Sequence, residues 1–215
     1  MARRASFAIA AALLTLTISA PIAQAQQPGP TWSQEDTLRI VKEVQKKLAG
    51  LTNYAVFDWL TFGIQGKTII LKGYASRPTL KNDAERSVKG ISGIDNVVNE
   101  IEVLPNSPND DRIRAAVYNR IYTASSLRMY NANAGRLGRG LSVARMAGGI
   151  TNDPPLGFHA IHIIVKNGNV TLYGVVNNAS DSAIAGMQAN SAPGAFSITN
   201  DLIVQGANPK SSAPK

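Results

Sequence analysis

Chemistry in this chain of 215 residues would have to come from few side chains, since the chain contains two histidines and no cysteine. A cysteine nucleophile and a thiolate metal site are therefore excluded. The two histidines, His159 and His162, are three positions apart in a segment with strand character, so their side chains point to opposite faces. We expect a local hydrogen bond for His162 and no bound metal.

The other candidate groups also lack a catalytic setting. The serines do not occur in a Gly-x-Ser-x-Gly pattern. Asp110 and Asp111 stand at a predicted helix start, where acids complement the helix dipole. The stretch GRLGRG, residues 135–140, fits neither G-x-G-x-x-G nor G-x-x-x-x-G-K-[ST], and no strand precedes it. We expect a protein that is not an enzyme and has no cofactor.

The N-terminus is typical of a secretory signal peptide. Two arginines precede an apolar, alanine-rich run that ends in Ala-Gln-Ala at residues 23–25. A membrane anchor is the alternative, but the apolar run is shorter than the roughly 20 residues that span a bilayer. We predict a signal peptide over residues 1–25, cleavage near Ala25, a linker over 26–34, and a periplasmic or secreted product.

Helical and strand periodicities follow one another in a fixed order. The first helix is expected to start after Ser33 and to stop at Gly50. The predicted strands and helix that follow cover residues 54–64, 68–75, 77–91 and 96–104. After the proline-containing linker PNSPND, the order restarts with predicted elements over residues 110–124, 159–166, 169–176, 180–190 and 196–205.

The two halves share a repeat with an offset of 101 residues. The repeated positions are Gly73 and Gly174, Gly93 and Gly194, and Asn99 and Asn200. Before Gly73 the match slips by one residue, because Gly66 lies seven positions ahead of Gly73 and Gly168 lies six ahead of Gly174. We interpret this slip as a difference in turn length or a β-bulge. The glycines are expected to serve backbone geometry, and the asparagines to bond local backbone.

These residues resemble the BON domain, named for bacterial osmotically inducible and nodulation proteins. The resemblance rests on a strand-ending glycine followed by GIDNVVNEIEV from Gly93, and again by GAFSITNDLIV from Gly194. It implies an α+β fold of two tandem αββαβ domains, each a three-stranded mixed sheet with two helices on one face. The predicted domains cover residues 35–105 and 108–206, with a disordered tail over 207–215. The resemblance also implies a place in the cell envelope, a role at phospholipid membranes and no enzyme activity.

The second domain differs from the first by an insert at about residues 125–158. The formal net charge of the chain is +8, and the only acid among residues 122–158 is Asp153. Such a segment favours an anionic surface as partner, with tyrosines as interfacial side chains. A flexible surface loop is the alternative. The candidate lipid-binding residues are Tyr118, Arg120, Tyr122, Arg128, Tyr130, Arg136, Arg139 and Arg145.

Two functions therefore remain open. In the first, the protein binds anionic phospholipid surfaces and supports envelope integrity or osmotic stress resistance. In the second, it is a periplasmic stress chaperone or protein-interaction module, with an exposed apolar sheet surface around Trp59, Phe57 or Ile163. Binding to nucleic acid is disfavoured by the export signal and by the diffuse charge.

Overall fold

The first helix begins and ends at its sequence signals. The computed structural model describes residues 31–131, 154–155 and 159–206. In α1 (Gln34–Ala49), the Ser33 side chain accepts a hydrogen bond from the backbone N–H of Asp36, and Gly50 is the C-cap. Every fourth residue from Ile40 to Leu48 is buried, which gives the helix one apolar stripe.

The stripe of α1 covers a mixed sheet together with a second helix. The second helix is α2 (Pro78–Lys89), and the strands are β1 (Trp59–Gln65), β2 (Thr68–Ala75), β3 (Asn96–Asn99) and β4 (Glu102–Val103). In the sheet β1 is antiparallel to β2, while β3 and β4 are parallel to β2 on its other side. The helices and the sheet enclose the first hydrophobic core.

The second domain repeats this arrangement. Its elements are α3 (Pro108–Thr123), a 3-10 helix (Ser125–Tyr130), β5 (Ile161–Lys166), β6 (Asn169–Val176), α4 (Ala179–Asn190) and β7 (Ser197–Val204). The middle strand, β6, is antiparallel to β5 and parallel to β7. Two tandem αββαβ units with mixed sheets confirm the predicted fold class. No helix among the described residues is both long and apolar enough to span a bilayer.

The prediction of a strand over residues 54–64 is wrong at its beginning. The segment before Trp59 turns, because the buried Asp58 carboxylate accepts the backbone N–H groups of Ala55, at 2.9 Å, and Ser76, at 2.6 Å. This turn carries Val56 and Phe57 away from the first core and into the core of the second domain. One short segment thereby joins the two domains.

The interpretation of the slip in the repeat as a difference in turn length or a β-bulge is also wrong. Each hairpin has a two-residue turn, since Gln65 pairs with Thr68 and Lys166 pairs with Asn169. The first turn places glycine at its first position, Gly66, where the second turn has Asn167; both residues have positive φ. Only the position of the glycine within the turn has changed, as expected for two turn types with different needs for positive φ.

The helix-free faces of the two sheets meet. The rings of Trp59 and Tyr173 stack with their centroids 5.5 Å apart and their planes 3° from parallel. The N–H of Ile163 donates to the carbonyl of Val56 at 2.8 Å, and Lys166 forms an ion pair with Glu102. We call this contact the domain interface. The predicted signal peptide and the predicted tail lie outside the described residues.

Candidate membrane-contact site

The three candidate tyrosines lie in the core of the second domain. Tyr118, Tyr122 and Tyr130 are all buried. The hydroxyl of Tyr122 donates to the carbonyl of Ile161 at 2.6 Å and accepts its N–H at 3.2 Å. Burial raises the pKa of Tyr122, so its hydroxyl stays neutral. The prediction that these rings form an interfacial surface is therefore corrected: they pack the domain.

Tyr130 fastens the 3-10 helix to the turn before α4. Its hydroxyl donates to the Asp181 carboxylate at 2.5 Å and accepts the N–H of Asn177 at 2.8 Å. The carboxylate of Asp181 also accepts from the Asn178 side chain, which in turn caps α4. A tyrosine with both hydrogen-bonding roles satisfied in a buried network is a structural residue.

The two ends of the insert are held together. Asn131 and His159 form an isolated antiparallel bridge, and the N–H of Ala160 donates to the carbonyl of Tyr130 at 2.9 Å. Beneath this bridge, the Tyr118 hydroxyl lies 3.2 Å from His159 Nε2 and accepts from the Asn131 side chain. We call Tyr130, Asn131, His159 and Ala160 the insert neck. It fixes the point from which the insert leaves the second domain.

The candidate arginines fall into two groups. Arg120, in the last turn of α3, and Arg128, in the 3-10 helix, are exposed. Beside Arg128, Met129 exposes 65% of its surface. The candidates Arg136, Arg139 and Arg145 lie outside the described residues. Exposed basic and apolar side chains therefore stand at the base of the insert.

The two acids at the start of α3 do more than complement a helix dipole. The Asp110 carboxylate accepts the N–H groups of Asn167 and Gly168 and so holds the hairpin turn against the helix. Asp111 pairs at 2.7 Å with the buried Arg114, whose guanidinium also donates to the carbonyl of Val165. Sequence reasoning missed this arginine, because its position on α3 looks like an ordinary solvated one.

The repeated glycines accommodate close backbone approach. Gly73 has φ +110° and Gly174 has φ +130°, and a Cβ at either would lie 2.0 or 1.9 Å from the carbonyl oxygen of Trp59 or Ala160. No side chain fits there. Gly93 and Gly194 also have positive φ, at +94° and +89°.

The repeated asparagines fasten the last strand to the second helix of each domain. Asn99 donates to the carbonyl of Lys81 and accepts the N–H of Ile101. Asn200 donates to the carbonyl of Ser182 and accepts the N–H of Leu202. In each copy the acceptor role is local, two residues along the strand, and the donor role reaches across to a helix.

The expected local hydrogen bond of His162 is replaced by contacts with the other domain. Its ring stacks on Tyr54, with centroids 5.2 Å apart, and its Nε2 lies 3.5 Å from the Tyr54 hydroxyl. Among the described residues, no three histidine, aspartate or glutamate side chains are placed to hold a metal ion.

The apolar surface required by the chaperone hypothesis is covered in this arrangement. Phe57 and Ile163 are fully buried in the second core. Trp59 is half-buried and stacks on Tyr173. The prediction of an exposed sheet surface at these residues is therefore wrong. Phe57 and Ile163 pack in the helix-covered core of the second domain, and Trp59, on the helix-free face of its own sheet, is covered by Tyr173.

The chain was compared with curated proteins and with solved structures. Among curated proteins no sequence matches. Two solved structures resemble the chain at a TM-score of 0.25: CdsD, a structural protein of the type III secretion system of Chlamydia trachomatis, and its C-terminal domain. The first is 13% identical and covers 77% of this chain and 92% of that one; the second is 14% identical and covers 80% and 99%. Likeness at this level carries no functional argument.

The family model of the BON domain matches two segments, residues 63–105 and 147–206. Each match covers the hairpin's second strand, the second helix and the last strand of one αββαβ unit. The predicted resemblance is therefore confirmed in both halves: the chain carries two BON domain segments in tandem.

Proposed function

We propose that this protein binds anionic phospholipid surfaces reversibly, through the second domain and its arginine-bearing insert. The two BON domain segments support a non-enzymatic, envelope- or stress-related module. The proposal includes export after signal-peptide cleavage near Ala25 and a role in envelope integrity or osmotic stress.

The observation that carries the proposal is the combination of the insert neck with the charge of the insert. The neck holds residues 131 and 159 against each other, so the two ends of the insert are adjacent at one place on the second domain. That stretch contains Arg136, Arg139 and Arg145, while the exposed Arg128 and Met129 stand beside its base. Basic residues near an anionic membrane surface contribute about 1 kcal/mol each.

Burial of the tyrosines changes how such docking would work. With Tyr118, Tyr122 and Tyr130 committed to the core, the aromatic contribution assigned to them is lost. Binding then depends on arginine charge with a small apolar contribution from Met129. We therefore expect weak, strongly salt-dependent attachment.

The test is sedimentation of the mature protein with vesicles. One set contains a neutral phosphatidylcholine and the other adds about one third phosphatidylglycerol. Replacing Arg136, Arg139 and Arg145 by glutamine should weaken binding to the anionic vesicles about 100-fold, because three contributions of about 1 kcal/mol are removed. Salt at about 0.5 M should abolish binding of the unmodified protein.

A matched charge control uses the first domain. Lys42, Lys46 and Lys47 are exposed on α1, and replacing them by glutamine removes the same charge. This variant should retain most of the binding. Equal losses in the two triple variants, or equal binding to neutral and anionic vesicles, would contradict docking through the insert.

A further inference from the structure

His162 occupies an unusual position for a titratable side chain. It lies on β5, on the sheet face turned away from α3 and α4, and is 7% exposed. Tyr54 stacks on its ring from the first domain, and Trp59 approaches it at 5.2 Å with a tilt of 54°. The ring is thus enclosed by side chains of the domain to which it does not belong.

The imidazole is suited only to its neutral form. Among the described residues its Nδ1 is buried without a hydrogen-bond partner, and its Nε2 lies 3.5 Å from the Tyr54 hydroxyl. A protonated ring has two N–H donors and a charge, and both would be poorly satisfied here. Burial lowers the pKa of His162 to about 4, although the backbone oxygens of Ala55 and Asp58 offset part of this effect.

The neighbouring charged groups do not supply the missing counter-ion. Asp58 is engaged by the N–H groups of Ala55 and Ser76, and burial raises its pKa, so acid neutralises this carboxylate more readily than an exposed one. His159 would add a like charge, which lowers the pKa of His162 further. Four other titratable groups at the interface are Tyr74 on β2, Tyr173 on β6, Lys166 on β5, and Glu102, which is paired with Lys166.

We propose that His162 is a proton-sensitive latch between the two BON domains: the neutral ring holds the first domain against the second sheet, and the protonated ring releases it. Release exposes the imidazole to water and uncovers the aromatic rings of Trp59, Tyr74 and Tyr173, which stack across the interface. The core of the first domain lies on the helix-covered face of its sheet and stays intact. The core of the second domain keeps Val56 and Phe57, so the segment that carries them stays in place and is the hinge about which the sheet faces separate.

The direction of the effect follows from proton linkage. The pKa of a solvated histidine is about 6.5, and that of the enclosed ring is about 4, so the open form binds the proton more tightly. The preference for the closed form therefore does not change with pH above about 6.5. It decreases as the pH falls from 6.5 to 4. Over that window the open-to-closed ratio should rise by up to roughly 300-fold, the ratio of the two acid constants.

Distance measurements between the domains test this latch. Because the chain has no cysteine, the exposed Ala49 at the end of α1 and the exposed Ala183 on α4 can both be replaced by cysteine and spin-labelled. Double electron–electron resonance should give one narrow distance distribution at pH 7.5. At pH 4.5 a second, broader population should appear, while far-UV circular dichroism stays unchanged.

The matched control is His162→Phe in the same labelled background, with His162→Gln as a second, smaller neutral variant. Both variants keep Asp58, His159 and the Glu102–Lys166 pair, so the comparison isolates the imidazole. At least one folded variant should keep the narrow distribution from pH 7.5 to 4.5. The latch is overturned if the unmodified histidine protein does not change, or if both neutral variants open over the same pH range as it does.

Discussion

The two BON domains share one fold but use the connection after their first helix in opposite ways. In the first domain, a short segment after Gly50 turns at Asp58 and places Val56 and Phe57 in the other domain's core. In the second domain, the same connection is the long insert, closed at its base by the bridge between Asn131 and His159. The element that varies between copies joins the domains in one case and carries a long insert with adjacent ends in the other.

The comparison shows which positions of the repeated unit must be the same in both domains and which connection can differ. Gly73 and Gly174, near the ends of β2 and β6, are required in both copies, since the carbonyl oxygens of Trp59 and Ala160 occupy the space of a side chain. The connection before β1 or β5 is permitted to vary, because it enters the unit at the edge of the sheet. A repeat can therefore keep its core and still acquire a domain contact or an insert.

The largest expected effect tests whether Phe57 belongs to the second core. Phe57→Ala should lower the free energy of unfolding by about 3–5 kcal/mol, because it empties a fully buried site beside Tyr118. Phe62→Ala is the matched control within the first core, where the ring is only partly buried, and should cost about 1–2 kcal/mol. Urea denaturation of the full chain measures both.

Hydrogen exchange shows which elements lose stability in the same two variants. Phe57→Ala should reduce the protection of amides in α3 and β5, although the residue precedes β1 in the chain. Phe62→Ala should reduce protection in α1 and α2. Loss of protection confined to the first domain in both variants would contradict the assignment of Phe57 to the second core.

An intermediate effect tests the equivalence of the repeated glycines. Gly73→Ala and Gly174→Ala should each destabilise by about 2–4 kcal/mol, since the new Cβ meets a backbone oxygen at an unfavourable φ. Gly63→Ala in β1 is the control, because a Cβ at that position would meet no atom beyond its chain neighbours within 4 Å, and should change stability by less than about 0.5 kcal/mol. Thermal unfolding of the three variants gives the ranking. A Gly63 variant as unstable as the other two would mean that strand propensity, not close approach, explains these positions.

The smallest expected effect distinguishes the two asparagines. Asn99 is half-buried and bonds the Glu85 carboxylate as well as the Lys81 carbonyl, whereas Asn200 is exposed and bonds the Ser182 carbonyl and hydroxyl. Asn99→Ala should therefore cost about 1.5–2 kcal/mol and Asn200→Ala about 0.5–1 kcal/mol. Equilibrium denaturation resolves this difference. A larger loss of stability in Asn200→Ala than in Asn99→Ala would show that burial does not determine how much these hydrogen bonds contribute to stability.

Local signals made most of the secondary structure predictable. Ser33 and Gly50 bound α1, and Pro78 occupies the first turn of α2, where its missing N–H costs nothing. The turn at Asn167-Gly168 was predictable because both residues adopt positive φ readily. Each of these signals acts within about four residues, so it can be read without knowing the tertiary contacts.

The candidate site was harder to predict, because side-chain type does not reveal what covers a side chain. A tyrosine beside arginines is compatible with a membrane surface, yet Tyr122 is paired with the backbone of Ile161 and Tyr130 with Asp181. Asp58 looks like an ordinary polar position in an alternating strand, but its two backbone bonds form a turn, so the strand starts only at Trp59. Such partners lie up to 51 residues away in the chain.

By itself, the sequence determined the repeated αββαβ order, the glycines that the repeat requires and the place of the insert, because periodicity, caps and turns are encoded locally. Only the tertiary structure decided that the helix-free sheet faces cover each other, that Phe57 serves the second core, and that His162 lies enclosed between the domains. Those outcomes depend on which of several apolar faces meet, and that choice is made by the packing of the whole chain.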